Sequence, residues 1–282
     1  MKTEDLTPAL YENAEIPEGI NYSRVHPLRE FALLTTGVIG TIVLIVGALA
    51  YSAEYVARYI PFGVELALVD RYADWFAGAD AAPSDAARVA YLRGLGERLA
   101  AAEDLPAGME ITVHYVDDGA VNAFATLGGH VFVYRGLLEE LHSENALAMV
   151  IAHEIAHVKH RDPITALGRG LTVSLGLASL AGLTDSSLFD NVLGRAGALT
   201  TLTFSRHQET RADAQALRAL TRVYGHVGGA GDLFVALRAR GPAEPPAFLN
   251  THPLTSDRLE RIRNHGGGHA GPLIPLPDVL HE

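Results

Sequence analysis

A run of twenty uncharged residues near the start of the chain constrains its fold more than any other feature. Phe31 to Ala50 reads FALLTTGVIGTIVLIVGALA. At about 1.5 Å per residue, a helix of this length matches the roughly 30 Å hydrocarbon core of a bilayer. Tyrosines follow it at a spacing of four residues, which suits an interfacial aromatic belt. Residues 31–59 therefore predict one transmembrane helix with an interfacial extension, with the bilayer contacted through residues 31–50.

Two other interpretations of this run stay open. It could be a buried helix of a soluble domain, or a cleaved signal peptide, since Ala48–Ala50 resembles a cleavage site. The long acidic segment before it is unlike the start of a signal peptide. Arg24 and Arg29 lie closer to the run than the arginines beyond it, so the positive-inside rule predicts a single-pass protein with its main domain on the non-cytoplasmic side.

The remaining sequence predicts a mainly α fold with a small β-sheet (α+β). Residues 1–30 are polar and acidic and predict a flexible tail, residues 60–266 the main domain, and residues 267–282 a second tail. Apolar periodicity and turn residues predict the elements within the domain. These are helices over Val64–Ala79, over Ser84–Ala102 with Ser84 as N-cap, from Ser143 to a stop at Asp162–Pro163, and from Ser205 to about Tyr224; a strand over Met109–Val116; and a hairpin about Gly128–Gly129.

Composition excludes several classes of function. The formal net charge is −11 and no run of basic residues occurs, which argues against nucleic-acid binding. The chain has no cysteine, which excludes disulfides, thiolate metal sites and cysteine nucleophiles. The uncharged stretch Gly170–Leu183 is too short to span a bilayer and predicts either core packing or a hairpin that faces the membrane or covers a site.

A cluster of ionisable residues lies inside an apolar helix, in the stretch ALAMVIAHEIAHVKHRDP. His153 and His157 are four residues apart, so both imidazoles leave one helix face and could bind one ion. Glu154 lies beside them, which completes the H-E-x-x-H pattern of zinc hydrolases. Buried polar groups need partners, and a metal ion would supply one to all three. His160, in contrast, is expected to be an ordinary core histidine.

A catalytic zinc site needs a third protein ligand and one open position. The downstream candidates are His207, Glu209, Asp213, His226 and His252. Glu209 and Asp213 are one helical turn apart, so Glu209 could bind the metal while Asp213 accepts a hydrogen bond from a ligand histidine. The alternative is an exposed helix with ordinary charged residues on its solvent face.

Four blocks together resemble the zinc metallopeptidases of the HtpX and CAAX-prenyl-protease group, which includes the Oma-type proteases. They are VNAFATLGGHVFVYRGLL, ENALAMVIAHEIAHVKHRD, SRHQETRADAQAL and, more loosely, NTHPLTSDRLERI. The resemblance implies a zincin-type domain with one Zn²⁺ per chain. It also implies that His153, His157 and Glu209 bind the zinc, that Glu154 is the catalytic carboxylate, and that Asp213 holds a ligand histidine.

These assignments predict a membrane-anchored zinc endopeptidase that hydrolyses unfolded or misassembled proteins in quality control. The alternative is an anchored, zinc-containing chaperone-like module with little proteolysis. His252 is a candidate oxyanion donor or fourth zinc ligand, or a simple turn histidine. Either His130–Tyr134 or the run of Asn122, Ala123, Phe124 and Ala125 could offer an edge strand to an extended polypeptide substrate. His265 and His269 are expected to lie in a solvated tail.

Overall fold

The computed structural model describes residues 27–57, 59–70, 83–180, 202–239, 246–253, 255–265 and 271–280. The helices in these residues are α1 (Pro27–Ala57), α2 (Phe62–Asp70), α3 (Ala86–Ala102), α4 (Arg135–Glu140), α5 (Glu144–Lys159), α6 (Asp162–Leu180), α7 (Arg206–Tyr224), α8 (Asp232–Ala239), α9 (Ala247–Thr251) and α10 (Ser256–His265). The strands are β1 (Thr112–Val116), β2 (Ala123–Ala125) and β3 (His130–Tyr134). The predicted mainly α fold with a small sheet is confirmed.

The three strands form one sheet in the order β1-β3-β2. β1 pairs with β3 in parallel, and β2 pairs with β3 in antiparallel fashion, which confirms the hairpin about Gly128–Gly129. Gly129 has φ +84°, and a Cβ there would lie 1.9 Å from the carbonyl oxygen of Glu110. Only glycine fits this turn without moving the backbone. The suggestion that His130–Tyr134 offers an edge strand is wrong, because β3 is the central strand.

The main core lies between one sheet face and three long helices. Val113, Tyr115 and Val131 point from the sheet toward α3 and α5, and α7 packs along α5. The opposite sheet face carries Phe124 and Phe132 and packs against α2 and the first turns of α6. Because α5 is covered by the sheet on one side and by α7 on the other, its polar residues have little access to water.

Two predicted helix boundaries are wrong. Ser84 lies in a 3₁₀ turn, and Asp85 occupies the N-cap of α3 without a side-chain capping bond. Asp162–Pro163 does not end α5, which stops at Lys159; Asp162 is instead the first residue of α6. Proline suits a first helical turn because its missing N–H has no partner there in any case. The predicted helix over 64–79 is α2 as far as Asp70, and residues 71–79 lie outside the described ones.

α1 is long and apolar enough to cross a membrane by length and composition. It begins four residues before the predicted start, and its apolar side chains are exposed, for example Leu44 at 75%.

Near the other end of the chain, residues 271–280 lie against the start of α5: Glu144 N–H donates to Ile274 O at 2.7 Å, and Leu280 is buried. Part of the segment expected to be a tail therefore packs on the domain.

Candidate metal centre

The helix α5 places three of the predicted site residues in the interior. Ser143 caps the helix, as expected, by accepting a hydrogen bond from Ala146 N–H at 3.2 Å. His153, Glu154 and His157 are all buried, at 3%, 0% and 0% exposure. The apolar residues around them keep water away and lower the local dielectric.

The helix α7 supplies the acidic residues that face α5. Ser205 and Gln208 form a reciprocal capping box at its start, which satisfies two of the backbone donors that a helix N-terminus leaves free. Glu209 and Asp213 lie in the first two turns and are 2% and 3% exposed. The alternative prediction, that Glu209 and Asp213 are ordinary charged residues on an exposed helix face, is therefore wrong.

Four candidate ligands come together at one point. His153, His157, Glu209 and His252 each offer one atom, and these atoms lie within 4.8 Å of one another. Nε2 of His153 is 3.0 Å from Nε2 of His157 and 3.3 Å from Nδ1 of His252. Oε1 of Glu209 is 3.3 Å from Nε2 of His157 and 3.1 Å from Nδ1 of His252. Four ligands at about 2.0–2.1 Å from a tetrahedral ion would be about 3.3 Å apart, so the spacing fits a metal.

The hydrogen bonds of the two α5 histidines support the same conclusion. Nδ1 of His153 is 3.0 Å from Asp213 Oδ1, and Nδ1 of His157 is 2.8 Å from Asp162 Oδ2. In a neutral imidazole the nitrogen that donates to a carboxylate carries the proton, so each Nε2 is left as an acceptor. Two acceptors that face each other across 3.0 Å repel unless a metal ion or a proton lies between them.

The electrostatics of the site also favour positive charge at this point. Burial alone would lower the pKa of His153, but the carboxylates of Asp213 and Glu209 outweigh it and raise that pKa to about 10. Burial would raise the pKa of Asp213, yet His153 and Arg258 bring it down to about 2. The pKa of Glu209 is lowered in the same way, against burial, by His252, His153 and His157. Both carboxylates therefore stay ionised around the ligand atoms.

His252 follows α9 and is wedged between aromatic rings. Its ring stacks on Phe248 with centroids 4.8 Å apart and lies 5.5 Å from Phe204, which also stacks on His157 at 4.0 Å. Nδ1 of His252 faces the other candidate ligands, while Nε2 lies 3.3 Å from Glu154 Oε1. The residue is fully buried, which is unlike a simple turn histidine.

Glu154 lies between the ligand group and the edge of the sheet. Its Oε2 accepts a hydrogen bond from Ala125 N–H at 2.8 Å. Within the described residues no hydrogen bond reaches Oε1. Ala125 belongs to β2, the edge strand next to β3. The structure thus brings the backbone of Ala125, at the end of the edge strand, beside Glu154, and Asn122 is buried just before the same strand.

Two residues that hold the site in place were missed by sequence reasoning. Asp162, taken as a helix stop, accepts hydrogen bonds from Gln208 Nε2 at 2.8 Å and Arg211 Nη2 at 2.7 Å as well as contacting His157. Arg258 of α10 donates to both Asp213 oxygens at 2.8 Å and lies 2.5 Å from Glu209 Oε2. Each sits inside one of the quoted sequence blocks, and that was the only signal available for them.

The other candidates lie outside the ligand group. His207 is exposed on α7, and His226 follows the end of that helix. His160 is only half-buried, at the C-cap of α5. Burial, with the charge of Arg211, lowers its pKa to about 4. His265 is exposed in α10, and His269 lies outside the described residues.

Comparison with known families decides the class of the protein. A model described as peptidase family M48 matches residues 86–265, which contain the sheet, α5, α7 and His252.

The chain belongs to peptidase family M48.

The predicted resemblance and the metallopeptidase class are therefore confirmed at the level of the family. The beta-barrel assembly-enhancing protease of Escherichia coli is 28% identical over 223 residues, covering 73% of this chain and 44% of that protein. Mitochondrial metalloendopeptidase OMA1 of Schizosaccharomyces pombe is 34% identical over 154 residues, 53% of this chain and 45% of that protein. Metalloprotease LoiP of Escherichia coli is 31% identical over 154 residues, 51% of this chain and 58% of that protein. This M48 chain thus spans about half the length of such relatives.

Proposed function

We propose that the protein is a membrane-anchored, zinc-dependent endopeptidase that hydrolyses unfolded or misassembled polypeptides. One observation carries the proposal: two buried imidazole nitrogens face each other at 3.0 Å while both imidazole protons are directed to aspartates on the far sides. That arrangement suits a divalent cation with nitrogen ligands beside a carboxylate oxygen, which is typical zinc chemistry.

His153, His157 and Glu209 would hold the ion. When bound, zinc polarises a carbonyl and lowers the pKa of a coordinated water to about 7. Asp213 and Asp162 fix the two ring orientations by accepting the Nδ1 protons, which also makes each Nε2 a better donor to a metal. Arg258 in turn holds Asp213 in place through two hydrogen bonds.

Glu154 would be the general base and acid of the reaction. The Ala125 N–H holds Oε2 in position, so Oε1 is the oxygen available to take a proton from the attacking water. The same oxygen would then deliver the proton to the leaving amine of the cleaved peptide. The apolar surroundings strengthen every charge interaction in this step.

The edge strand β2 would bind the substrate. A polypeptide in extended conformation could pair with the backbone of Asn122, Ala123, Phe124 and Ala125, apart from the Ala125 N–H that donates to Glu154, and this would bring its carbonyl next to Glu154. Such pairing recognises an extended backbone more than a sequence, which suits unfolded proteins and a role in quality control. The names of two relatives, beta-barrel assembly-enhancing protease and mitochondrial metalloendopeptidase, agree with this proposal.

Anchoring would occur through α1. Its length and composition suit a single membrane span, and the arginine distribution supports a catalytic domain on the non-cytoplasmic side.

A second candidate function is supported by the position of His252. With its Nδ1 among the other ligand atoms, four protein groups surround one point, and structural zinc sites use four protein ligands. The protein would then be a zinc-containing binding module that cleaves rarely. The His252→Ala variant distinguishes the two functions. We expect cleavage to increase if His252 occupies the fourth coordination position of the metal, as in the binding module. We expect it to decrease if His252 stabilises the oxyanion, as in the endopeptidase.

The direct test compares the wild type with Glu154→Gln on an unfolded casein substrate. We expect both proteins to carry one zinc per chain and the variant to lose roughly 10²–10⁴-fold in kcat/KM. Glu97→Gln, an exposed substitution on α3, is the matched control. Equal cleavage by wild type and Glu154→Gln would refute the assigned base, and a zinc-loaded wild type without cleavage would favour the binding module.

A further inference from the structure

The short helix α2 buries its glutamate and exposes several of its apolar residues. Glu65 is buried at 2% exposure, whereas Val64 and Leu66 are 43% and 42% exposed. Gly63 and Ala67 are exposed as well, so the outward face of α2 carries no charge. A helix in water presents its charged residues outward, so this face is built for a surrounding other than water.

The inward orientation of Glu65 is firmly determined. Its Oε1 accepts a hydrogen bond from Arg161 Nε at 2.7 Å, and its Oε2 accepts one from Gly128 N–H at 3.1 Å. Arg161 also donates to Ile60 O at 2.9 Å and lies over the Phe62 ring at 5.6 Å. Because these bonds fix the rotation of α2 about its axis, Val64 and Leu66 cannot turn inward without leaving a buried ion pair broken.

The position of α2 along the chain indicates what the outward face meets. The apolar span ends at Ser52, and α1 continues to Ala57, which adds about 7 Å of helix. The headgroup region on each side of a bilayer is about 5–8 Å thick. α2 starts at Phe62, after a turn closed by the Tyr59 N–H to Val56 O hydrogen bond. The helix therefore begins at about the depth where headgroups meet water.

A second contact brings the later half of α6 to the proposed membrane span itself. A Cβ added to Gly176 of α6 would lie 2.4 Å from Val46 Cγ2, so α6 packs closely against α1 at this point. Val46 lies six residues inside the end of the apolar span. The later half of α6 is uncharged, as a segment beside the span requires.

We infer that the outward face of α2, formed by Gly63, Val64, Leu66 and Ala67, lies in the interfacial region of a lipid bilayer. This inference rests on the membrane anchoring proposed above. The apolar side chains enter the headgroup region, while Glu65 and Arg161 form the protein side of the contact. Arg161 immediately precedes Asp162, which contacts His157, so the proposed membrane contact is adjacent in the chain to a residue that orients a candidate metal ligand.

Nitroxide labels on single cysteines test the inference on the full chain in phosphatidylcholine vesicles. The natural sequence has no cysteine, so each introduced thiol is the only labelled site. Val64→Cys and Leu66→Cys probe the face, with Ala67→Cys as a further variant. Leu44→Cys in the span and Glu97→Cys on exposed α3 are the references. Collisions of each label with oxygen, which dissolves in lipid, and with a water-soluble nickel complex are measured.

We expect the labels on α2 to collide several-fold more with oxygen relative to nickel than the label at Glu97 does. If the label at Leu44 is in lipid but those on α2 behave like Glu97, the inference is wrong while the anchoring stands. If the label at Leu44 is itself exposed to nickel, the anchoring fails. Labels on α2 shielded from both reagents would identify a protein partner or a second copy instead of lipid.

Discussion

The helix α5 buries two glutamates, one at its start and one in its second half, and the two have opposite surroundings. Glu144, at its start, is 5% exposed and accepts hydrogen bonds from Tyr91, Arg98 and Tyr224, the last at 2.8 Å. Burial would raise the pKa of this carboxyl, but these donors lower it below its ordinary value. Glu154 immediately follows His153, and its Oε1 accepts no hydrogen bond from the described residues.

This difference distinguishes a polar cluster that only stabilises the fold, at Glu144, from one that can bind a ligand, at Glu154. Around Glu144 every acceptor meets a donor, so the cluster is complete and ties α5 to α3 and α7. Beside Glu154 the Nε2 atoms of His153 and His157 face each other as acceptors, since their Nδ1 protons point to Asp213 and Asp162. Burial of charge alone does not indicate a functional site; a mismatch of hydrogen-bonding roles does, because it calls for a positive ligand.

The largest expected effect comes from removing a metal ligand. His157→Ala should reduce the metal content from one ion per chain to none and abolish cleavage, because the ion loses one of the three proposed protein ligands. Metal analysis by mass spectrometry and casein cleavage measure both. His207→Ala, on exposed α7 surface, should change neither. If His157→Ala kept its full metal content, the proposed difference between the hydrogen-bonded cluster at Glu144 and a metal-binding group at His157 would be refuted.

Breaking the complete cluster should affect stability without affecting the metal. Glu144→Gln should lower the free energy of unfolding by roughly 2–3 kcal/mol at pH 7, because buried donors lose a charged acceptor. Since its folded pKa is lowered, the contribution of Glu144 is present above its ordinary pKa of 4.5 and is lost as the pH falls below it. Urea unfolding of wild type should show that loss, and the variant a flatter pH dependence. Glu260→Gln is the exposed control.

A smaller effect is expected at the carboxylate that orients His157. Asp162→Asn should weaken metal binding about 10–100-fold, or about 1.4–2.7 kcal/mol, because the amide holds the Nδ1 proton less firmly. Competition with a chelator measures the affinity. Asp232→Asn, which also changes the first residue of a helix, should leave affinity unchanged. Equal affinities of Asp162→Asn and wild type would show that the orienting contact is dispensable.

The smallest effect concerns Glu103, whose two carboxyl oxygens are buried without a hydrogen bond from the described residues. Burial raises its pKa from 4.5 to about 8. Its contribution is therefore most favourable below pH 4.5 and is lost as the pH rises toward 8. Glu103→Gln should stabilise the protein by roughly 1–2 kcal/mol at pH 8, since the buried amide also costs something, and by nothing at pH 5. Thermal unfolding at both pH values, with Glu97→Gln as control, measures this; equal gains at both would reject the buried neutral acid.

The sequence was informative where structure depends on short spacings. The pair His153 and His157, the cap at Ser143 and the turn-spaced Glu209 and Asp213 all follow from helical periodicity within a few residues. Strand order depends on long-range pairing, which explains why β3 was considered as an edge. His252 and Arg258 join the site from about 100 residues beyond His153, and no local pattern reports such a contact. Asp162 was misread because one residue both follows one helix and starts the next.

The side chain of Gln208 belongs to two structures at once. Its amide oxygen accepts the Ser205 N–H at 2.8 Å, and its amide nitrogen donates to Asp162 at 2.8 Å. The same side chain therefore stabilises the first turn of the helix that bears Glu209 and binds the Asp162 carboxylate that orients His157. A partly folded chain in which α7 has not docked on α5 would therefore lack both Glu209 at the site and the Gln208 contact to the carboxylate that orients His157.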